Sequence, residues 1–153
     1  MRDYLALAYI KELAKEKSVS AAKYYTVSIF DATLRIEAQI AIAAITKNPD
    51  GFTNIYFDIL RSTRIELHNI RAKLYALLAK ASRDKAHITA SIEEIRLIPL
   101  VFQGESLCHL AEACVWIGDV EQARRLAQSI GDQYWRAKTY LAIAKALMDQ
   151  PNN

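Results

Sequence analysis

The sequence predicts an all-α protein, on three observations. Of its 153 residues 52% are apolar and 24% charged, enough for a single domain over residues 1–153 with a real core. Gly (4) and Pro (3) are too few for the frequent turns of an all-β chain, whereas alanine, the strongest helix former, occurs 24 times. Third, similar stretches recur along the chain at a spacing that suits pairs of helices. A net charge of only +3 with this apolar content excludes a disordered chain.

The clearest recurrence sets Arg71-Ala-Lys-Leu-Tyr-Ala-Leu-Leu-Ala-Lys-Ala81 over Arg136-Ala-Lys-Thr-Tyr-Leu-Ala-Ile-Ala-Lys-Ala146, with seven of eleven positions identical at an offset of 65. Weaker copies begin at Arg35 (Arg-Ile-Glu-Ala-Gln-Ile-Ala-Ile-Ala43) and Glu105 (Glu-Ser-Leu-Cys-His-Leu-Ala-Glu-Ala113). The anchors 35, 71, 105 and 136 are spaced by 36, 34 and 31. An isoleucine precedes three of them by six, as Ile29, Ile65 and Ile130.

In chain order, a first helix over about 2–16 carries Leu5-Ala-Leu-Ala8, which matches Leu141-Ala-Ile-Ala144. A second, about 19–30, starts after Ser18 or Ser20 as N-cap. The copy from Arg35 makes a third, about 32–47. The Pro49-Asp-Gly51 sequence reads as a turn, with Thr53 capping a fourth over about 53–63. The strong copies give helices over about 65–82 and 132–149, and the copy at Glu105 one over about 100–117. Asp84 caps a helix over about 84–97, and Asp119, after Gly118, one over about 119–130.

The reading is four hairpins plus a closing helix. The apolar stripes are too wide for lone surface helices, and a two-helix unit cannot bury both its faces, so neighbours must stack. That makes a right-handed-type α-solenoid. A closed irregular helical bundle is the alternative, although bundle packing imposes no period near 34 residues.

With Gly118-Asp-Val-Glu-Gln-Ala123 followed by Leu126 and Ala127, the chain resembles the tetratricopeptide repeat and related helical-hairpin solenoids. In that family Gly ends the first helix and Ala opens close packing in the second. Only this unit has the full spacing, and the closing proline has a counterpart at most in Pro99. The resemblance implies a non-catalytic scaffold holding proteins or peptides in a groove lined by the first helices.

Charge and cysteines bound the function further. Residues 61–85 hold Arg61, Arg64, Arg71, Lys73, Lys80, Arg83 and Lys85 against Glu66 and Asp84, a net +5 that suits phosphates or acidic peptides, or simply a solvated helical face. Cys108 and Cys114, six apart in one predicted helix, have Cα atoms about 9 Å apart, too far for a disulfide. Unpaired thiols, with no signal peptide in the first residues and no run of roughly 18 apolar residues, predict a cytoplasmic protein away from membranes.

Reactive chemistry is hard to place. Cys108, His109, Glu112 and Cys114 cluster, but Cys114 points away from Cys108 and no second Cys/His pair completes a metal site. His68 and His87 stand alone, and Glu93 and Glu94 diverge by about 100° on a helix. No nucleophile elbow, phosphate loop or His-Glu-x-x-His stretch occurs. The expectation is no enzyme, metal or cofactor.

Two sets of recurring basic residues remain. Asp31 and Asp132 precede Arg35 and Arg136 by four, the order that favours a helical ion pair. Lys73 and Lys80, like Lys138 and Lys145, are seven apart, and the equivalent positions of the intervening repeat are Leu107 and Cys114. First helices packed side by side would then present an apolar strip between lysine rims about 20 Å apart. These six residues are the candidate site for an acidic or amphipathic peptide; in the alternative, the copy at Glu105 slips in register and Leu107 is core. The second functional reading is an RNA-binding helical-repeat protein using residues 61–85. A helical enzyme domain or an assembly subunit is a third option, including a homodimer through Trp135, Tyr140 and Leu147.

Overall fold

The computed structural model describes residues 1–16, 18–62 and 67–150. Arg64, Ile65 and Glu66, and with them the expected helix boundary at 63–65, lie outside the described residues. Among the described residues the regular structure is nine α-helices and one short 3-10 helix, with no strand. The chain divides into two compact units, Met1–Glu66 and Leu67–Asn153.

The first unit contains α1 (Arg2–Lys15), α2 (Val19–Thr26), α3 (Ala32–Thr46) and α4 (Pro49–Arg61). α1 and α3 lie side by side, α2 packs against both, and α4 packs against α3. Leu7, Ile10 and Ala14 meet Ala22, Ile29, Leu34, Ala38 and Ile42 in its core. The start of α3 is doubly fixed. The Asp31 carboxylate accepts the Leu34 N–H at 2.9 Å as N-cap, and the Asp3 carboxylate of α1 accepts the N–H groups of Phe30 (3.1 Å) and Asp31 (2.8 Å).

Two boundaries differ from expectation here. α2 stops at Thr26, whose hydroxyl bonds the Ala22 carbonyl; the Ser28 hydroxyl then turns back to the Tyr25 carbonyl. Pro49-Asp-Gly51 is the first turn of α4 rather than a loop before it. Asn48 caps it by accepting the Asp50 N–H at 3.1 Å, and Pro49 suits the first helical position, where no N–H is needed.

The second unit contains α5 (His68–Ser82), α6 (Lys85–Arg96), α7 (Gly104–Trp116), α8 (Val120–Ser129) and α9 (Gln133–Asp149). Its adjacency repeats that of the first. α5 and α7 lie side by side with α6 against both, then α7 and α9 lie side by side with α8 against both. Ala72, Ala76 and Ala79 of α5, Leu110, Ala111 and Ala113 of α7, Ala123 and Ala127 of α8 and Ile143 and Ala146 of α9 join one core. Small alanine side chains let the helix axes approach, and the Ser91 hydroxyl of α6 reaches the Ala72 carbonyl of α5 at 2.8 Å.

Asp84, Asp119 and Asp132 cap α6, α8 and α9, accepting the N–H groups of Ala86 (2.8 Å), Gln122 (3.0 Å) and Trp135 (2.9 Å). The expected helix over 100–117 is divided. Residues Leu100–Phe102 form the 3-10 helix, and α7 begins at Gly104. Gln103 sits at the junction and donates its amide to the carbonyls of Ile95 (3.1 Å) and Ile98 (2.7 Å), serving the end of α6. Gly104 is required by α9: a Cβ there would lie 2.6 Å from the Trp135 ring.

Candidate functional site

The six candidate residues fall into different environments of the second unit. Lys73 is half-buried on α5. Lys80, two turns further on, is engaged by α7. Its ammonium donates to the Glu112 carboxylate at 2.6 Å and lies 5.3 Å from the centre of the Trp116 ring. Leu107 is half-buried against the core, and Cys114 is 0% exposed. Burial, with a smaller contribution from Asp119, pushes the Cys114 thiol up to about 12. Lys138 and Lys145 are exposed on α9.

No apolar strip of Leu107 and Cys114 therefore lies open between the lysines. α7 has helices on several sides, and only Glu105 among its thirteen residues is exposed. The α7 side chain that reaches a lysine is Glu112, two positions earlier than the aligned Cys114, and Glu105 stands two turns before it, 3.9 Å from His109. Glu112 bonds Lys80, while the Lys138 ammonium is held above its ordinary value chiefly by its hydrogen bond to Tyr134, with Glu105 the smallest of the contributions. The surface across α5, α7 and α9 thus runs basic (Lys73, Lys80), acidic (Glu105, Glu112), basic (Lys138, Lys145). Sequence reasoning missed the middle pair, although its own seven-residue spacing was the available signal.

α9 is the other feature of the site. Thr139, Ile143 and Ala146 face inward, and Asp132 and Arg136 fix its start. They do so separately: Asp132 caps the Trp135 N–H, while the Arg136 guanidinium donates to the Ile130 carbonyl at 2.8 Å. Trp135 turns to Gly104 and is half-buried. On the outward side Tyr134, Ala137, Leu141, Ala144 and Met148 form a stripe at three- and four-residue spacing, widened by Tyr140 and Leu147. All seven are exposed. Lys138 and Lys145 border one edge of this stripe, and the Lys138 ammonium stands 4.9 Å from the Tyr134 ring centre.

The same positions in the 71–81 copy are covered. Ala72, Tyr75, Ala76 and Ala79 are at most 2% exposed, whereas their counterparts Ala137, Tyr140, Leu141 and Ala144 are exposed, Leu141 at 71%. In α5 this face meets α6 and α7.

Within the second unit the segment's Arg71, Lys80 and Arg83 are engaged. Arg71 lies 3.8 Å from the Glu94 carboxylate, His68 2.7 Å from it, and the Arg83 guanidinium 4.4 Å from the Trp116 ring centre while bonding the Trp116 carbonyl. Among the described residues, no group of three or more His, Cys, Asp or Glu side chains is placed to hold a metal ion. Among the same residues no helix is long and apolar enough to cross a membrane. The chain matches no known family model, curated protein or solved structure.

Proposed function

We propose that this chain is a non-catalytic scaffold of the α-solenoid type, similar to tetratricopeptide-like hairpin arrays, that binds proteins or peptides. One observation carries the reading: the outward face of α9 offers seven exposed, mostly apolar side chains in one stripe with Lys138 and Lys145 along its edge. Contiguous apolar surface rimmed by charge is characteristic of interaction sites. The shared adjacency of helices within each unit supports the hairpin-array architecture. The thiols of Cys108 and Cys114 are both free, which supports a reducing compartment such as the cytoplasm.

The test is partner recovery from lysate by the full chain and by its Leu141→Asp and Lys138→Glu/Lys145→Glu variants, with and without ribonuclease. A scaffold of this kind loses its protein partner in both variants and is indifferent to ribonuclease. Recovery that disappears with ribonuclease and falls steeply with salt would instead assign the chain to RNA binding through its basic segment.

A further inference from the structure

We propose that the outward face of α9 receives an amphipathic helix of a partner protein, seated on Leu141 and carrying two carboxylates seven residues apart that meet Lys138 and Lys145. The proposal rests on the scaffold reading above and names the occupant of its surface.

The molecule contains its own pattern for this contact. α5 and α9 carry the same residue types at equivalent positions: Ala72 and Ala137, Tyr75 and Tyr140, Ala79 and Ala144, Lys73 and Lys138, Lys80 and Lys145. On α5 Ala72, Ala76 and Ala79 are covered by the α6–α7 hairpin, and α7, whose Glu112 meets Lys80, carries Glu105 seven residues earlier. Glu112 bonds Lys80 at 2.6 Å. On α9 the apolar positions are uncovered, and Lys145 has no ion pair among the described residues. The charges of successive first helices alternate from α5 to α7 to α9, and an acidic helix on α9 would continue that alternation.

Charge also decides between a partner and a second copy. α9 holds Arg136, Lys138 and Lys145 against one acid, Asp149. Antiparallel pairing with another α9 about Leu141 would set four lysines along one edge, a like-charge contact that opposes association. A helix with acids at that edge and small or apolar residues facing Leu141 removes the repulsion and covers the stripe.

The probe is a fluorescent peptide of residues 104–117, the α7 sequence held helical by a side-chain staple away from Glu105 and Glu112 and verified as helical by circular dichroism, titrated under reducing conditions into the full chain and followed by anisotropy. Saturable binding is expected. Leu141→Asp, at a solvent-exposed position, weakens it by about tenfold or more. Lys138→Glu/Lys145→Glu weakens it by about tenfold, and a peptide with Glu105→Lys and Glu112→Lys restores binding to that variant. Sedimentation of the chain alone is expected to give a monomer.

No saturable binding, or binding unchanged by Leu141→Asp, overturns the proposal, as does a charge swap without rescue. A dimer that Leu141→Asp dissociates assigns the face to a second copy and likewise overturns it. Failure here with a recovered, ribonuclease-resistant protein partner leaves the scaffold reading standing; failure to recover any protein partner removes that reading instead.

Discussion

The Lys80 ammonium of α5 meets the Glu112 carboxylate of α7 at 2.6 Å, beside the ring of Trp116. The pair joins two neighbouring helices at a half-buried edge. A double-mutant cycle with Lys80→Met and Glu112→Gln should give a coupling of about 0.5–1 kcal/mol in urea unfolding. Coupling should shrink in about 1 M salt, where charges are screened over a few ångströms. A coupling of zero at low salt would mean that the contact contributes nothing to joining α5 and α7.

Gly104 lies so close to Trp135 that an added methyl group must displace the ring. Gly104→Ala should therefore cost about 1–3 kcal/mol of stability, despite the higher helix propensity of alanine. In a Trp135→Ala background the same substitution should be neutral or stabilising. Equal costs in both backgrounds would exclude the steric account.

Asp3 ties α1 to the start of α3 through the N–H groups of Phe30 and Asp31. Asp3→Ala should lower stability by about 1 kcal/mol. Hydrogen exchange at those two amides should accelerate more than at the buried Ile10 amide. Asp3→Asn keeps one acceptor oxygen and should lose less.

Burial holds the Cys114 thiol at about 12, above its ordinary 9.0. The folded state therefore keeps a proton that the unfolded chain releases. This contribution to stability is complete below pH 9.0 and is lost as pH rises from there toward about 12. The slope from this group approaches about 1.4 kcal/mol per pH unit. Unfolding measured from pH 8 to about 10.5 should show the decline, and Cys114→Ala should flatten it. In the native protein Cys114 should resist a thiol reagent that labels it after unfolding.

The helix starts at Asp84 and Asp119 were legible in the sequence, and both accept the N–H expected of a cap; Asp31 and Asp132, read as ion-pair partners of Arg35 and Arg136, turn out to cap their helices too. A short polar side chain beside an apolar run is a local signal, and local signals survive folding. Pro49 misled because the same residue that marks a turn also fits the first turn of a helix. The break at Gln103 was illegible, since it answers to the carbonyls of Ile95 and Ile98 and to the close approach of Trp135 to Gly104, thirty-one positions apart.

The candidate site was legible in its lysines and not in its centre. Aligning the copies at Arg71 and Glu105 put Leu107 and Cys114 between the lysines, but identity along the chain does not fix the height at which neighbouring helices meet. Packing brought Glu112 level with Lys80 and enclosed Cys114. Exposure of Leu141 and Met148 depends on what covers α9, which residues 133–149 alone do not encode.

Within each unit, every substantial pairing joins helices no more than two steps apart in chain order. Loop-closure entropy is therefore small for each docking event, and low contact order favours fast folding. Every helix pairing within the first unit is available once its four helices have been synthesised, so those pairings can form on the ribosome before the rest of the chain emerges.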